Sequence, residues 1–587
     1  MLYPKLKEIP TKREMVDVFK GYNHNLRIGD GEFYDMKNLS SDNYPILSPR
    51  QQRGIYAEPY TTEGPCRMLS KDSLCWVDGK YVFYAKRKAY KQFLTVDGKP
   101  KTLISMGAYL VVMPDKVYIN TTDPSDCGPI EASMTTTGNV TYEMCLPYED
   151  TYHVVHVSRT PPESPTNGCF WLDTAKTPDQ LKQYFTDKKG WVELNTTTTT
   201  YIKISSTGIG APFSEGDGVS IEGVASPSLQ FLNGYTIIQE RGDNHIVVTG
   251  VIDKKITQTG TTITVARKMP DMDFIIESGN RLWGCKYGKL ANDKFVNEIY
   301  ASKLGDFKNW NVFRGVSTDS YAASVGTDGP FTGATTHLGY PIFFKENCIH
   351  KVYGNYPANY QIQTTECRGV QSGCDRSIAT VNEVLYYKSR SGICAYDGSL
   401  PMEVSSALGD VNYEGAVAGS LGNKYYISMK DDNAQWHLFV YDTKKGLWHR
   451  EDDTHALDFC KHNGELYYID YADKKIKAVN GSGTTETAPI KWEAITGIIG
   501  TDSPDKKYIS RMDVRMSISV GTRVTFFAEY DSSGEWEYLY SMDGVKLQTF
   551  AVPISPMRCD HFRLKIIGNG DAKIFSICKT IEQGSDI

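Results

Sequence analysis

The stretch that decides the fold is NEVLYYKSRSGICAYDGSLPMEVS, residues 382–405. Val384 to Lys388 reads as a strand. A Ser-Gly turn follows, then a second strand from Ile393 to Tyr396 and an Asp-Gly turn. Alternating aromatic and branched residues between such turns are the local signature of a β-hairpin. The hairpin recurs, in DGKYVFYAKRKAYKQF (78–93), MGAYLVVMPDKVYIN (106–120), SGNRLWGCKYG (278–288), LGYPIFFKENCIHKVYG (338–354), LGNKYYISMK (421–430) and HNGELYYIDYADKKIKAVNG (462–481).

Gly279, Gly339, Asn382, Gly422 and Gly464 mark the later copies at intervals of 60, 43, 40 and 42 residues. An all-strand unit of 40–50 residues is the size of a four-stranded propeller blade, whose apolar face only its neighbours can cover. The fold class is therefore all-β, a β-propeller of about seven blades with six to eight allowed. Gly79 and Gly107 lie 28 residues apart, short for a full blade, and Gly107 to Gly279 spans 172, far too long. The second figure places an insertion at 146–270. Within it, Pro178 to Phe185 is a short helix candidate with Thr177 as N-cap. Five short alternating strands over 200–268 then predict a small β-barrel.

The resulting division is an arm at 1–55, propeller at 56–145, the inserted domain at 146–270, and propeller again at 271–482. After the polar joint NGSGTTETAPIKW (480–492), strong alternation over 483–587 predicts a C-terminal β-sandwich. The arm is free to add an outer strand to a blade or to reach along an assembly.

Composition narrows function. The formal net charge is −6 and no basic block dominates, so tight nucleic-acid binding is not expected. The 13 cysteines are scattered without a CxxC, which predicts reduced thiols. No apolar run has the length of a membrane span, and the N-terminus lacks the apolar core of a secretory signal. His153 and His156 fall on opposite faces of one strand, so no metal site is predicted. No catalytic or cofactor-binding residue emerges. RGD at 241–243 reads as a turn between barrel strands.

Trp283, Asp306, Trp310 and Trp448 are the structural blade-turn candidates. SKLGDFKNW (302–310) resembles the Asp-box turns of propeller glycosidases, in which Asp and Ser bond backbone amides and Trp plugs between blades. Here Gly305 precedes the Asp instead of following it. YDTKKGLWHRED (441–452) places Trp448 similarly after a tight turn.

FKGYNHNLRIGDGEFYDMKNLSSDNYPILSPR (19–50), NEIYASKLGDFKNW (297–310), CRGVQSGCDRSIATVNEVLYYKSRSGICAYDGS (367–399) and KTIEQGSDI (579–587) together resemble the tail nozzle or hub proteins of tailed bacteriophages, including the packaged-DNA stabilisation proteins of short-tailed phages. FSEGDGVSIEGVASPSLQFLNGYTII (213–238) is similar to the small barrel inserted in such virion proteins. The resemblance implies a non-enzymatic homo-oligomer, a hexameric ring below the portal and adaptor that retains and conducts double-stranded DNA without binding it specifically. It implies synthesis in host cytoplasm, residence in the virion tail, and contact with tail, fibre or host-envelope components. It brings no cofactor. A channel wall that lets DNA pass should be neutral to acidic, because each basic contact adds binding. The rival expectation is a propeller glycosidase or glycan-binding protein acting on host surface carbohydrate, with carboxylates and Tyr or Trp gathered at one mouth of the propeller.

Overall fold

The computed structural model describes residues 11–583 apart from 85–86, 91–93, 95–99, 124, 195–197, 482–483, 487, 503–504 and 556. Parts of the hairpin at 78–93, the joint at 480–492 and the motif at 579–587 thus lie outside the described residues, as do the first ten residues. The fold is all-β, and helix among the described residues is confined to four 3-10 turns.

Seven blade-type sheets give a seven-bladed β-propeller fold. In chain order their first strands are Pro65–Ser70, Thr102–Met106, Phe274–Ser278, Gly333–His337, Ala379–Val381, Tyr413–Leu421 and Ala456–His462. Gly79 sits between the first blade's second and third strands, one turn later than the other six sequence markers, which share one equivalent place, the two-residue turn from a blade's first strand to its second. Gly279 and Asn280 there have φ of +61° and +57°, and Asn463 and Gly464 have +48° and +79°. Two consecutive positive φ values are what a tight hairpin between right-twisted strands requires, and Gly and Asn reach them at least cost. The hairpin quoted first is the central pair of the fifth blade, Val384–Ser389 against Gly392–Tyr396.

The 28-residue interval from Gly79 to Gly107 is shorter than a blade, as the spacing indicates, because Gly79 lies one turn later in its blade than Gly107 does in the next. The first blade itself is complete but compact, with strands of only four to six residues. The sixth blade uses strands of six to nine.

The chain divides into two compact units, residues 1–103, 331–351 and 364–587 in one and 104–330 with 352–363 in the other. In the first unit, blades four to six share a core built on Phe344, Tyr387, Tyr425 and Phe439. The seventh blade packs against the sixth through Tyr468 and Leu466. It packs against the first through Trp76, Phe83 and Ile469. Its fourth strand comes from the other end of the chain: Gly54–Ala57 pairs Ile476–Ala478. The arm also contributes Thr11–Val16, Gly21–Tyr22 and Glu32–Lys37 to the C-terminal sheet.

That sheet is continuous but bent. Lys507–Tyr530 is a 24-residue strand whose early part pairs Ala572–Gln583 and whose later part pairs Phe562–Asn569. The change of partner falls at Ser519–Thr522, and the alternating buried side chains of both parts (Met512, Val514, Met516; Val524, Phe526) belong to one apolar cluster. Instead of the separate sandwich expected over 483–587, the pairing makes one eight-stranded sheet in which three arm strands take part.

In the second unit, blades two and three share a core around Met106, Leu282 and Trp310. A twelve-stranded sheet spans Ala132–Thr135 to Thr264–Arg267 and curls as a half-barrel over Tyr142, Ile202, Ile221, Ile246 and Val248. The segment read as a helix is the strand Gln180–Phe185, antiparallel to Phe170–Asp173. Its register brings Lys182 Nζ to Asp173 at 2.7 Å, and this pairing across the hairpin outweighs a weak local preference for helix. The RGD triplet is the end of one curled strand and the turn into the next.

Candidate assembly surface

The four turn residues are all placed as internal supports. Trp283 is buried; its indole donates to Ser278 O at 3.1 Å and meets Tyr360 edge-on at 5.0 Å. Trp448, also buried, donates to Val404 O at 2.8 Å, so a sixth-blade side chain bonds the end of the fifth blade. Asp306 Oδ1 accepts from Lys308 N at 3.0 Å, and Ser302 Oγ accepts from Leu282 N at 3.0 Å. Trp310 donates to Phe307 O at 2.9 Å from within the core.

The turn has a further consequence that the motif does not announce. Asp306 Oδ2 accepts from Asn309 Nδ2 at 2.7 Å, and the same amide donates to Asp217 Oδ1 at 2.8 Å. Asn309 Oδ1 in turn accepts from Gly218 N at 2.9 Å, and Arg267 pairs with Asp217. The third blade is thereby hooked to the curled sheet through a buried polar chain. Gly218 has to be glycine here, since a Cβ would lie 2.6 Å from Asn311 O.

A second cluster ties the arm to blades six and seven. The buried Arg53 guanidinium reaches Glu451 at 2.8 Å and Asp452 at 2.7 Å, and donates to Thr454 Oγ1 at 2.9 Å. Burial alone would raise the Asp452 carboxyl; Arg53 and hydrogen bonds from Thr454 override it and hold the group at about 2. Lys579, buried in the C-terminal sheet, reaches Glu14 at 3.2 Å and Asp30 at 3.6 Å. The sequence offered no signal for either cluster beyond scattered charges, because the partners lie hundreds of residues apart.

What these supports hold in place is a sheet with two open edges. Among the described residues, Glu537–Val552 pairs only Lys507–Tyr530, and Thr11–Val16 pairs only Ala572–Gln583. One row across the strip reads Val16, Ile577, Val514, Phe550. Natural proteins shorten long edges or guard them with charge. This one is 16 residues long, and LQTFAV (547–552) carries no charge. Leu547 is 55% exposed and Tyr538 57%, while on the opposite edge Met15 is 64% exposed.

Among the described residues, no group of three or more His, Cys, Asp or Glu side chains could hold a metal ion. No helix among them is long and apolar enough to cross a membrane. All 13 cysteines are free thiols.

No family model matches the chain, and neither does any curated protein. Solved structures give distant likenesses. An exo-β-1,3-galactanase from Phanerochaete chrysosporium is 10% identical at a TM-score of 0.21, covering 52% of this chain and 94% of its own. The U3-55K structure is 7% identical at 0.23, covering 51% and 88%. The extracellular domain of a two-component system from B. thetaiotaomicron is 8% identical at 0.16, covering 87% and 99%. Likenesses at such scores carry no argument about activity.

Proposed function

We propose that the chain is a non-enzymatic structural subunit of a virion tail, a nozzle or hub that assembles into a ring of identical copies and lets DNA pass. The observation that carries this reading is the strip with two open edges, one of which ends in the uncharged run LQTFAV while the other, Thr11–Val16, carries Lys12, Arg13 and Glu14 beside exposed Met15. Its four strands alternate in direction, so its first and last strands run oppositely. A second copy set beside it in the same orientation therefore meets the first antiparallel, and repetition of that head-to-tail contact generates a ring when the rotation between copies closes. Exposed Met15 on one edge and Leu547 on the other supply apolar contact where the copies join. The sequence resemblance to phage nozzle proteins supports the same reading, and six is the copy number it implies.

The experiment is mass photometry of the purified protein, alone and with a portal–adaptor complex. The expected species is a hexamer, and Leu547→Lys with Met15→Lys should reduce it to monomers. A wild-type chain that stays monomeric under both conditions would overturn the ring. A hexamer indifferent to both substitutions would leave the ring standing and remove the edge contact.

A further inference from the structure

The fifth blade buries a cation that has no carboxylate of its own. Lys388, 3% exposed, donates to Gln371 Oε1 at 2.8 Å and Ser389 O at 2.5 Å, both neutral acceptors. An ammonium has three protons to donate, and a buried charge without a counter-ion is costly. Glu403 acts on it through space, but that carboxylate is already engaged: Oε2 accepts from Arg368 at 2.8 Å and Oε1 from Ser405 Oγ at 3.4 Å. Burial accordingly pushes the Lys388 pKa below its ordinary value.

Lys388 lines a cleft whose other walls include Arg390, Ser391, Ser405, Asp410 and Asn412. Gly392 lets its wall approach Ser405 and Glu403 closely, because a Cβ there would lie 2.3 Å from Ser405 Oγ and 2.9 Å from Glu403 Oε1. The walls thus combine two cations with neutral hydroxyl and amide groups and two acids. A bare polyanion is repelled by Glu403 and Asp410. A neutral sugar leaves Lys388 uncompensated. A small molecule with one carboxylate and several hydroxyls satisfies both kinds of wall.

We propose that this cleft binds a sugar acid of monosaccharide size, its carboxylate on Lys388 and Arg390 and its hydroxyls on Asp410, Asn412 and Ser405. All of these residues lie in one unit of one chain.

The test is titration of the full-length protein with glucuronate, followed by saturation-transfer NMR and calorimetry, with glucose, acetate and inorganic phosphate as comparison ligands. Glucuronate is expected to bind saturably and at least tenfold more tightly than any of the three. Lys388→Met should weaken it at least tenfold and Arg390→Gln about threefold. Because Lys388 donates only to neutral acceptors, Lys388→Met strips no buried carboxylate of its cation. Should that variant fail to fold, Asn412→Ala on the rim, with an expected loss of about fivefold, provides the second reading. Glucose matching glucuronate, phosphate exceeding it, or unchanged affinity in Lys388→Met and Asn412→Ala would each overturn the proposal.

Discussion

The seventh blade and the curled sheet solve the same problem in opposite ways. Each must hold together strands that lie far apart in sequence. The seventh blade takes its last strand from Gly54–Ala57, about four hundred residues before its other three, and the join is crowded with ions. Besides Arg53 with Glu451 and Asp452, Arg50 reaches Glu486 at 3.1 Å, and the preceding arm is held to the sixth blade by Arg450 to Asp35 at 3.0 Å and Lys424 to Asp42 at 2.5 Å. The curled sheet is filled by aliphatic and aromatic side chains such as Ile202, Ile204, Val219 and Ile246, all fully buried. The difference follows from connectivity. Within the curled sheet, period-two alternation fixes register, helped by the short turn of hairpins such as Gly234–Gly242 with His245–Thr249, since a one-residue slip would turn the whole apolar face outward. A four-residue strand arriving from a distant arm has no turn to set it, and charges that fit in only one position can supply the register instead.

The comparison breaks most visibly at Arg53. Arg53→Met leaves Glu451 and Asp452 buried without their cation, and removing one partner of a buried pair costs about 3–5 kcal/mol. The urea midpoint of the first unit should fall, and Glu451→Gln with Asp452→Asn added to the variant should restore much of it. In the curled sheet, Ile202→Ala should cost about 2–5 kcal/mol through lost burial and a cavity. Hydrogen exchange would locate each loss. It is expected in residues 54–57 and 456–478 for the first variant and in 140–267 for the second. Equal loosening of both regions by either variant would show that they do not hold together independently.

Acid sharpens the contrast. Burial, aided by Lys424, lowers the His449 pKa to about 3; burial, aided by Lys345, lowers that of His350 to about 4. Both histidines are in the first unit. An unfolded histidine takes its proton near 6.5, so below that pH the unfolded form binds protons that the folded form refuses. Their contribution is therefore complete above about 6.5 and is lost as pH falls toward 4 and then 3, at about 1.4 kcal/mol per pH unit for each. Asp452 works in a lower window: its depressed pKa stabilises above about 3.8 and is lost as pH falls through about 2. Melting between pH 7 and 5.5 should thus destabilise the first unit by the histidine effect alone. An unchanged first transition over that range would show that these imidazoles are not held neutral.

The blades were legible because their determinants are local. Positive φ at Gly279–Asn280 or Asn463–Gly464 is written in the residues themselves, and the alternation beside each turn says which strand face is buried. The bent C-terminal sheet was legible for the same reason, from Met512 to Phe526. Reading failed where the determinant is a partner. Gln180–Phe185 carries a capping signal at Thr177 and Pro178, yet its state is decided by Phe170–Asp173 across the hairpin. Nothing in SKLGDFKNW singles out Asn309, and only the fold brings Asp217 and Gly218 to it. Arg53 sits in a stretch with no pattern at all. Lys388 read as the last residue of a strand; its burial and its neutral acceptors depend on Gln371 and the turn at Ser389.

The smallest expected effect tests whether the Asp-box-like turn supports only its own blade or the curled sheet as well. Asp306→Ala removes the acceptor of Lys308 N and of Asn309 Nδ2, and its own cost should be about 0.5–1.5 kcal/mol per hydrogen bond lost. Asn309→Ala leaves the Gly218 amide without its acceptor, at about 1–3 kcal/mol. If the two residues act as one hook, their double variant should lose less than the sum of the single losses, because the Asp306–Asn309 bond is counted in both. Exchange at Gly218 and its strand neighbours then reads the hook directly. It should quicken in Asn309→Ala and, to a lesser degree, in Asp306→Ala, where Asn309 is intact but no longer oriented. Additive losses with Gly218 unmoved in Asp306→Ala would confine the turn to its blade, and the join between blade and curled sheet would then rest on Arg267, Asp217 and Asn309 without it.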